Sequence, residues 1–98
     1  MSLFSLFGAT IKYPQDKRQI TTEQIKHLMW NTHLTSISQA NKDTVAEAVL
    51  TKRNGEDKIS LQHIYEVLTR LKNENRITKI DRESFMKIFL GFFTEQFK

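Results

Sequence analysis

An isoleucine followed by a short polar side chain, with further apolar residues five, eight and nine positions after it, recurs along this chain. Ile20 leads through Thr21 and Thr22 to Ile25, Leu28 and Met29; Ile59 leads through Ser60 to Ile64, Val67 and Leu68; Ile80 leads through Asp81 to Phe85, Ile88 and Phe89. Each copy reads as a helix start. A side-chain oxygen at the N-cap accepts from backbone N–H groups of the first turn, and apolar residues at N′ and N4 pack across that turn. Gln24, three residues after Thr21, completes a capping box. A weaker copy runs from Ala40 through Asn41 to Val45, Ala48 and Val49. The four starts are spaced so that a short helix and a turn fit between them, and little else.

The pattern predicts helices over 22–33, 42–53, 61–72 and 82–97. Asn54-Gly55 stops the second, because glycine accepts the left-handed conformation of a helix C-terminus cheaply. Two links hold β-compatible pieces, Lys58-Ile59 and Arg76-Ile77-Thr78, and a tiny two-stranded contact between them is the pairing the sequence allows. Pro14 lies in a polar stretch from Lys12 to Gln19, so residues 1–19 read as a semi-ordered N-terminal arm and 20–98 as the helical domain. One helix per repeat is too little for a solenoid, whose units are helix pairs. The expected fold class is therefore all-α, a compact bundle of four short helices with an N-terminal arm.

Composition narrows the chemistry. Of 98 residues, 39% are hydrophobic and 27% charged, with three Gly and one Pro, which is too apolar and too poor in breakers for a disordered chain. No run approaches the ~18 apolar residues of a membrane span, and Met1–Gly8 lacks the basic start of a secretory signal, so a cytoplasmic protein is expected. The absence of cysteine excludes disulfides, thiolate zinc sites, iron–sulfur clusters and a thiol nucleophile. His27 and His33 stand six apart on one predicted helix, on different faces, and His63 lies far along the chain, so no metal-ligand spacing exists. There is no Gly-x-Ser-x-Gly turn and no glycine-rich phosphate loop. The chain reads as non-enzymatic, with no cofactor, no metal and no small-molecule substrate.

Two short resemblances bear on function. Gly-Glu-Asp-Lys-Ile before Ser60 and Arg-Ile-Thr-Lys-Ile before Asp81 resemble the second half of EF-hand motifs, in which a central isoleucine precedes the exit helix, over about ten residues each. With Ile59 as the eighth loop position, the ligand positions hold Lys52, Asn54, Glu56 and His63, and Asp57 takes the glycine position. With Ile80 there, they hold Asn73, Asn75, Ile77 and Ser84, and Thr78 takes the glycine position. Neither set suits calcium, so the resemblance implies a way of entering a helix and no ion. Ser-Leu-Phe, present at 2–4 and again at 5–7, resembles the linear motifs with which bacterial proteins dock on the replication sliding clamp, without the upstream glutamine of the full motif.

A formal charge of +4 raises nucleic acid as an alternative partner, through Arg70, Lys72, Arg76, Lys79 and Arg82 around the last turn. Glu66, Glu74, Asp81, Glu83 and Glu95 are interleaved with the cations of this region, and no aromatic residue lies between Arg70 and Arg82 to stack on bases.

The last helix is apolar over too wide an arc for one covered face. Phe85, Ile88, Phe89 and Phe92 form a core stripe; Met86, Leu90, Phe93 and Phe97 form a second stripe beside it. Either the helix is central, contacted on both sides, or the second stripe meets another chain. The reading adopted from sequence is a small protein-interaction module, an adaptor, regulator or inhibitor of a larger assembly. It uses Met86, Leu90, Phe93 and Phe97, with Leu3, Phe4, Leu6 and Phe7 as a second contact, toward another protein or a second copy of itself as a homodimer.

Overall fold

Each of the four helices is entered through an isoleucine and a hydroxyl residue, and all four isoleucines are buried. The computed structural model describes residues 12–31 and 34–96, so the expectations placed on Leu3, Phe4, Leu6, Phe7, His33 and Phe97 lie outside the described residues. Within them, the order is β1 (Lys17–Gln19), α1 (Thr22–Leu28), α2 (Gln39–Arg53), β2 (Lys58–Ser60), α3 (Leu61–Asn73) and α4 (Lys79–Gln96). The described chain is mostly helical, with one small sheet.

Two helix starts stand where the sequence pattern puts them. Thr21 caps α1 in a capping box with Gln24: its hydroxyl accepts from Gln24 N at 3.1 Å, and Gln24 Oε1 accepts from Thr21 N at 2.9 Å. Ser60 caps α3, its hydroxyl accepting from His63 N at 3.0 Å. Ile20 and Ile59 are the buried residues before these caps, and Ile25 and Ile64 are the buried N4 partners.

The other two starts lie three residues earlier than expected. Helix α2 is capped by Ser38, which accepts from Asn41 N at 3.2 Å, so Asn41 is in the first turn and not the cap. At α4, Thr78 Oγ1 accepts from Asp81 N at 3.0 Å and Asp81 Oδ2 accepts from Thr78 N at 3.1 Å, a reciprocal box that makes Thr78 the cap and Asp81 its partner. Burial fixes the register. Ile37 and Ile77, directly before these hydroxyls, are in the core, whereas Ile80 is 73% exposed and staples nothing. Asn41 Nδ2 also donates to Asp81 Oδ2 at 3.5 Å, joining the two helix starts.

Helix α1 ends at Leu28, five residues before its expected end, although no glycine or proline stops it. Ile25 and Leu34 are both fully buried. Nine residues at about 100° each would place them on opposite sides of a continuous helix. The chain instead leaves the helix through successive tight turns, with Asn31 N donating to Leu28 O at 3.1 Å, Leu34 N to Asn31 O at 3.0 Å and Ile37 N to Leu34 O at 3.0 Å.

The small sheet pairs different strands from those expected. β1 lies antiparallel to β2 with Arg18 opposite Ile59, and Ile20 N extends the pairing by donating to Asp57 O at 2.8 Å. Residues 76–78 are instead committed to the turn between helices: Arg76 closes α3, Ile77 enters the core and Thr78 caps α4. Asn75 takes a left-handed φ of 61°, Asn75 N donates to Lys72 O at 3.0 Å and Arg76 N donates to Leu71 O at 2.9 Å, a Schellman arrangement that satisfies the last carbonyls. Asn54, at φ 53°, and Gly55, at φ 83°, end α2 at the stop the sequence marked.

Residues 12–19, assigned to the arm from sequence, are tied to the helical body. Gln62, a buried polar residue of α3, holds Lys12 and Tyr13 through its side chain, and its N–H donates to Pro14 O at 3.1 Å. Helix α3 is the centre of the fold: it packs on α4, α2 and β2 and buries Leu61, Ile64, Tyr65, Val67, Leu68 and Leu71. Arg53, at the end of α2, donates from Nη1 to Ile20 O and from Nη2 to Thr22 Oγ1, each at 2.7 Å, and fixes α2 against the entry to α1.

Candidate protein-interaction surface

The early end of α1 has a surface consequence. Met29, the last-turn neighbour of Ile25, turns into the core, and the next residue, Trp30, is left 76% exposed at the start of the turn, its N–H donating to His27 O at 3.0 Å. An indole is a large apolar surface that is rarely left in water without a reason. Trp30 is the one tryptophan of the chain.

Two clefts meet at this side chain. One, about 580 Å³, lies between α1 and α4 and has half-buried Leu28 and Phe92 beside Trp30, with Glu23, Lys26 and His27 along it. The other, about 310 Å³, lies between α1 and α2, where Met29, Ala46 and Leu50 stand beside Trp30 with the exposed carboxylates of Asp43 and Glu47. Asp43 accepts from Gln39 Nε2 at 2.9 Å. The surface is thus an apolar ridge with a concavity on each side, and carboxylates outnumber ammonium groups around it.

The sequence-selected stripe of α4 is placed differently from the expectation. Met86 and Phe93 are buried within the chain alongside Phe85, Ile88 and Phe89, so the helix is contacted on both sides, and of that stripe only Leu90 reaches the surface among the described residues, at 44% exposure. The physical reason is that Met86 and Phe93 share the core with Leu61 and Tyr65 of α3, against which Tyr13 of the N-terminal segment also packs. Tyr13 and Tyr65 flank Met86, and Pro14 and Leu61 flank Phe93, across two shallow clefts that both touch Leu90. Phe92, expected in the core, is the half-buried residue beside Trp30. The wide apolar arc is therefore mostly buried within the chain, with Leu90 exposed on one edge and Phe92 half-buried on the other.

The five basic residues do not form one free face. Arg82 is turned onto the protein: its guanidinium lies 5.4 Å from the centre of the Tyr65 ring and its Nη1 donates to Thr69 Oγ1 at 3.2 Å. Arg70, Arg76 and Lys79 are exposed and Lys72 is half-buried. Lys12 covers the same Tyr65 ring at 5.6 Å, and Tyr13 meets it with ring centres 5.3 Å apart.

His27 lines the cleft beside Trp30, and His63 is half-buried at the start of α3. Among the described residues no three His, Asp or Glu side chains are gathered to hold a metal ion, and no helix is long and apolar enough to cross a membrane. Comparison of the chain with family models, curated proteins and solved structures gives no match.

Trp30 was missed from sequence because it was placed inside a helix running to residue 33. A signal was present: five residues past Ile25, a helical Trp30 stands about 140° from the buried stripe, and no core position was available to it.

Proposed function

We propose that this chain is a protein-interaction module whose contact surface is centred on Trp30, with Phe92 of the C-terminal helix and Leu28 beside it. The observation that carries the reading is the exposed indole standing between two clefts with apolar walls. Tryptophan is the residue type most enriched among the few side chains that supply most of a protein–protein binding energy, and it does so when seated in a desolvated pocket ringed by polar residues. Glu23, Lys26, Asp43 and Glu47 supply that polar rim. A nucleic-acid role through Arg70, Lys72, Arg76, Lys79 and Arg82 draws less support, since Arg82 is engaged on Tyr65 and Thr69 and the acids of this region are interleaved with the cations.

The test is site-specific photo-crosslinking in the cells that make this protein. A benzophenone side chain at position 30 should give a discrete protein adduct, and the same group at exposed Lys52 on α2 should not. Equal labelling from both positions, or none from position 30, contradicts the reading.

A further inference from the structure

A cleft of about 280 Å³ between α4 and the N-terminal segment gathers three cations around two tyrosines. Lys12 and Tyr13 stand on one side of it beside Tyr65 of α3. Arg82, Met86, Lys87 and Leu90, spaced to share one face of α4, form the other side. Glu83 is the one acid on the cleft.

Arg82 is held in place without being neutralised. Its guanidinium lies 5.4 Å from the centre of the Tyr65 ring and its Nη1 donates to Thr69 Oγ1 at 3.2 Å, which leaves the Nε–Nη2 edge without an acceptor among the described residues. That edge is the fork with which arginine grips two oxygens of one anion. Lys12 reaches the same ring, 5.6 Å from its centre, because Gln62 holds the backbone N–H groups of Lys12 and Tyr13. No carboxylate of the described residues stands within ion-pair distance of Lys12, Arg82 or Lys87. Two cations on one ring with no acid between them repel each other, and an anion seated there relieves the repulsion.

We infer that this cleft is a binding site, separate from the Trp30 surface, for an aryl phosphate, a phosphate monoester carried on a flat apolar ring. The charge matches: three cations against one carboxylate leave two positive charges, and a phosphate monoester carries about −1.5 to −2 at pH 7. The Arg82 fork takes two phosphate oxygens, with Lys12 and Lys87 as point charges beside it. The ring of the ligand lies on half-buried Tyr13 and on Leu90, which is 44% exposed and leaves apolar surface to be covered. Because Thr69 and Tyr65 already fix Arg82, and Gln62 already fixes the backbone of Lys12, little ordering remains to oppose binding. The volume, at the small end of ligand pockets, suits one ring and its phosphate.

NMR of the isotope-labelled full chain tests this, with phenyl phosphate, inorganic phosphate and phenol added in separate titrations. The expected result is a saturable shift of the backbone amides of Tyr13, Tyr65, Arg82 and Lys87 by phenyl phosphate, with an affinity about tenfold or more above that for inorganic phosphate or phenol. Lys87→Gln should weaken this binding roughly threefold to fivefold. Lys79→Gln, the same change of charge on the same helix but outside the cleft, should leave it unaltered; both side chains are exposed, so both variants keep the fold. Arg82→Lys, which keeps the charge and loses the fork, should weaken it as well. A short phosphotyrosyl peptide that binds more tightly than phenyl phosphate assigns the ring to a protein side chain, and one that binds more weakly assigns it to a free small molecule. The inference is overturned if phenyl phosphate shifts none of these amides, if inorganic phosphate binds as tightly, or if Lys79→Gln weakens binding as much as Lys87→Gln.

Discussion

The side-chain oxygen of Gln62 accepts from the backbone N–H of Tyr13 at 3.0 Å, and from that of Lys12 at the same distance. One buried amide thus carries two donors of a segment that has no helix or strand at that point to satisfy them, while its Nε2 donates to Glu66 Oε2 at 3.0 Å. The arrangement lays Tyr13 and Pro14 along α3, where they flank Met86 and Phe93 of α4. Gln62→Leu keeps the volume and removes the acceptor. The two N–H groups are partly buried, so water replaces the lost acceptor in part; at the usual net value of about 0.5–1.5 kcal/mol per hydrogen bond, the urea midpoint should fall by the equivalent of about 1–3 kcal/mol for the pair.

The register of the helix starts separates residues that look alike in sequence. Ser38→Ala and Thr78→Ala should each cost about 0.5–2 kcal/mol through loss of a cap, and Ser60→Ala the same. Ile77→Ala should cost about 2–5 kcal/mol as a core truncation. Ile80→Ala, at an exposed site, should leave the thermal midpoint within the small range of surface substitutions. Equal losses at Ile77 and Ile80 would place the cap at Asp81.

Phenylalanines of α4 and the tryptophan of α1 should behave oppositely. Phe89→Ala and Phe93→Ala are buried truncations costing about 3–5 kcal/mol, a large share of a domain's usual stability of about 5–15 kcal/mol. Trp30→Ala should leave the melting curve close to the parental one. A Phe93 variant as stable as the parent would return the second stripe of α4 to the surface.

Much of the fold was legible because its helix starts are written in local chemistry. Thr21 with Gln24, Ser60, and the Asn54-Gly55 stop act within a single turn, so residue type and spacing suffice to place them. The two shifted helix starts share a cause. Asn41 and Asp81 are as acceptable as caps as Ser38 and Thr78, and the choice between them is made by which isoleucine the core takes. The same holds for α1, which stops so that Ile25 and Leu34 can both be buried. Pairing of β1 with β2 joins residues some forty positions apart, and no local pattern announces it. Trp30 followed from these: a surface residue created by a helix end cannot be read until that end is known.

Trp30, as the one indole of the chain, reports on the central claim with no substitution at all. Its fluorescence should be measured with a soluble quencher such as acrylamide, first in the dilute chain and then in the complex that position 30 cross-links. The account predicts strong quenching in the dilute chain, as for an indole in water, and a large loss of quenching with a blue-shifted emission in the complex. An indole already protected in the dilute chain, or one equally quenched after assembly, would contradict it.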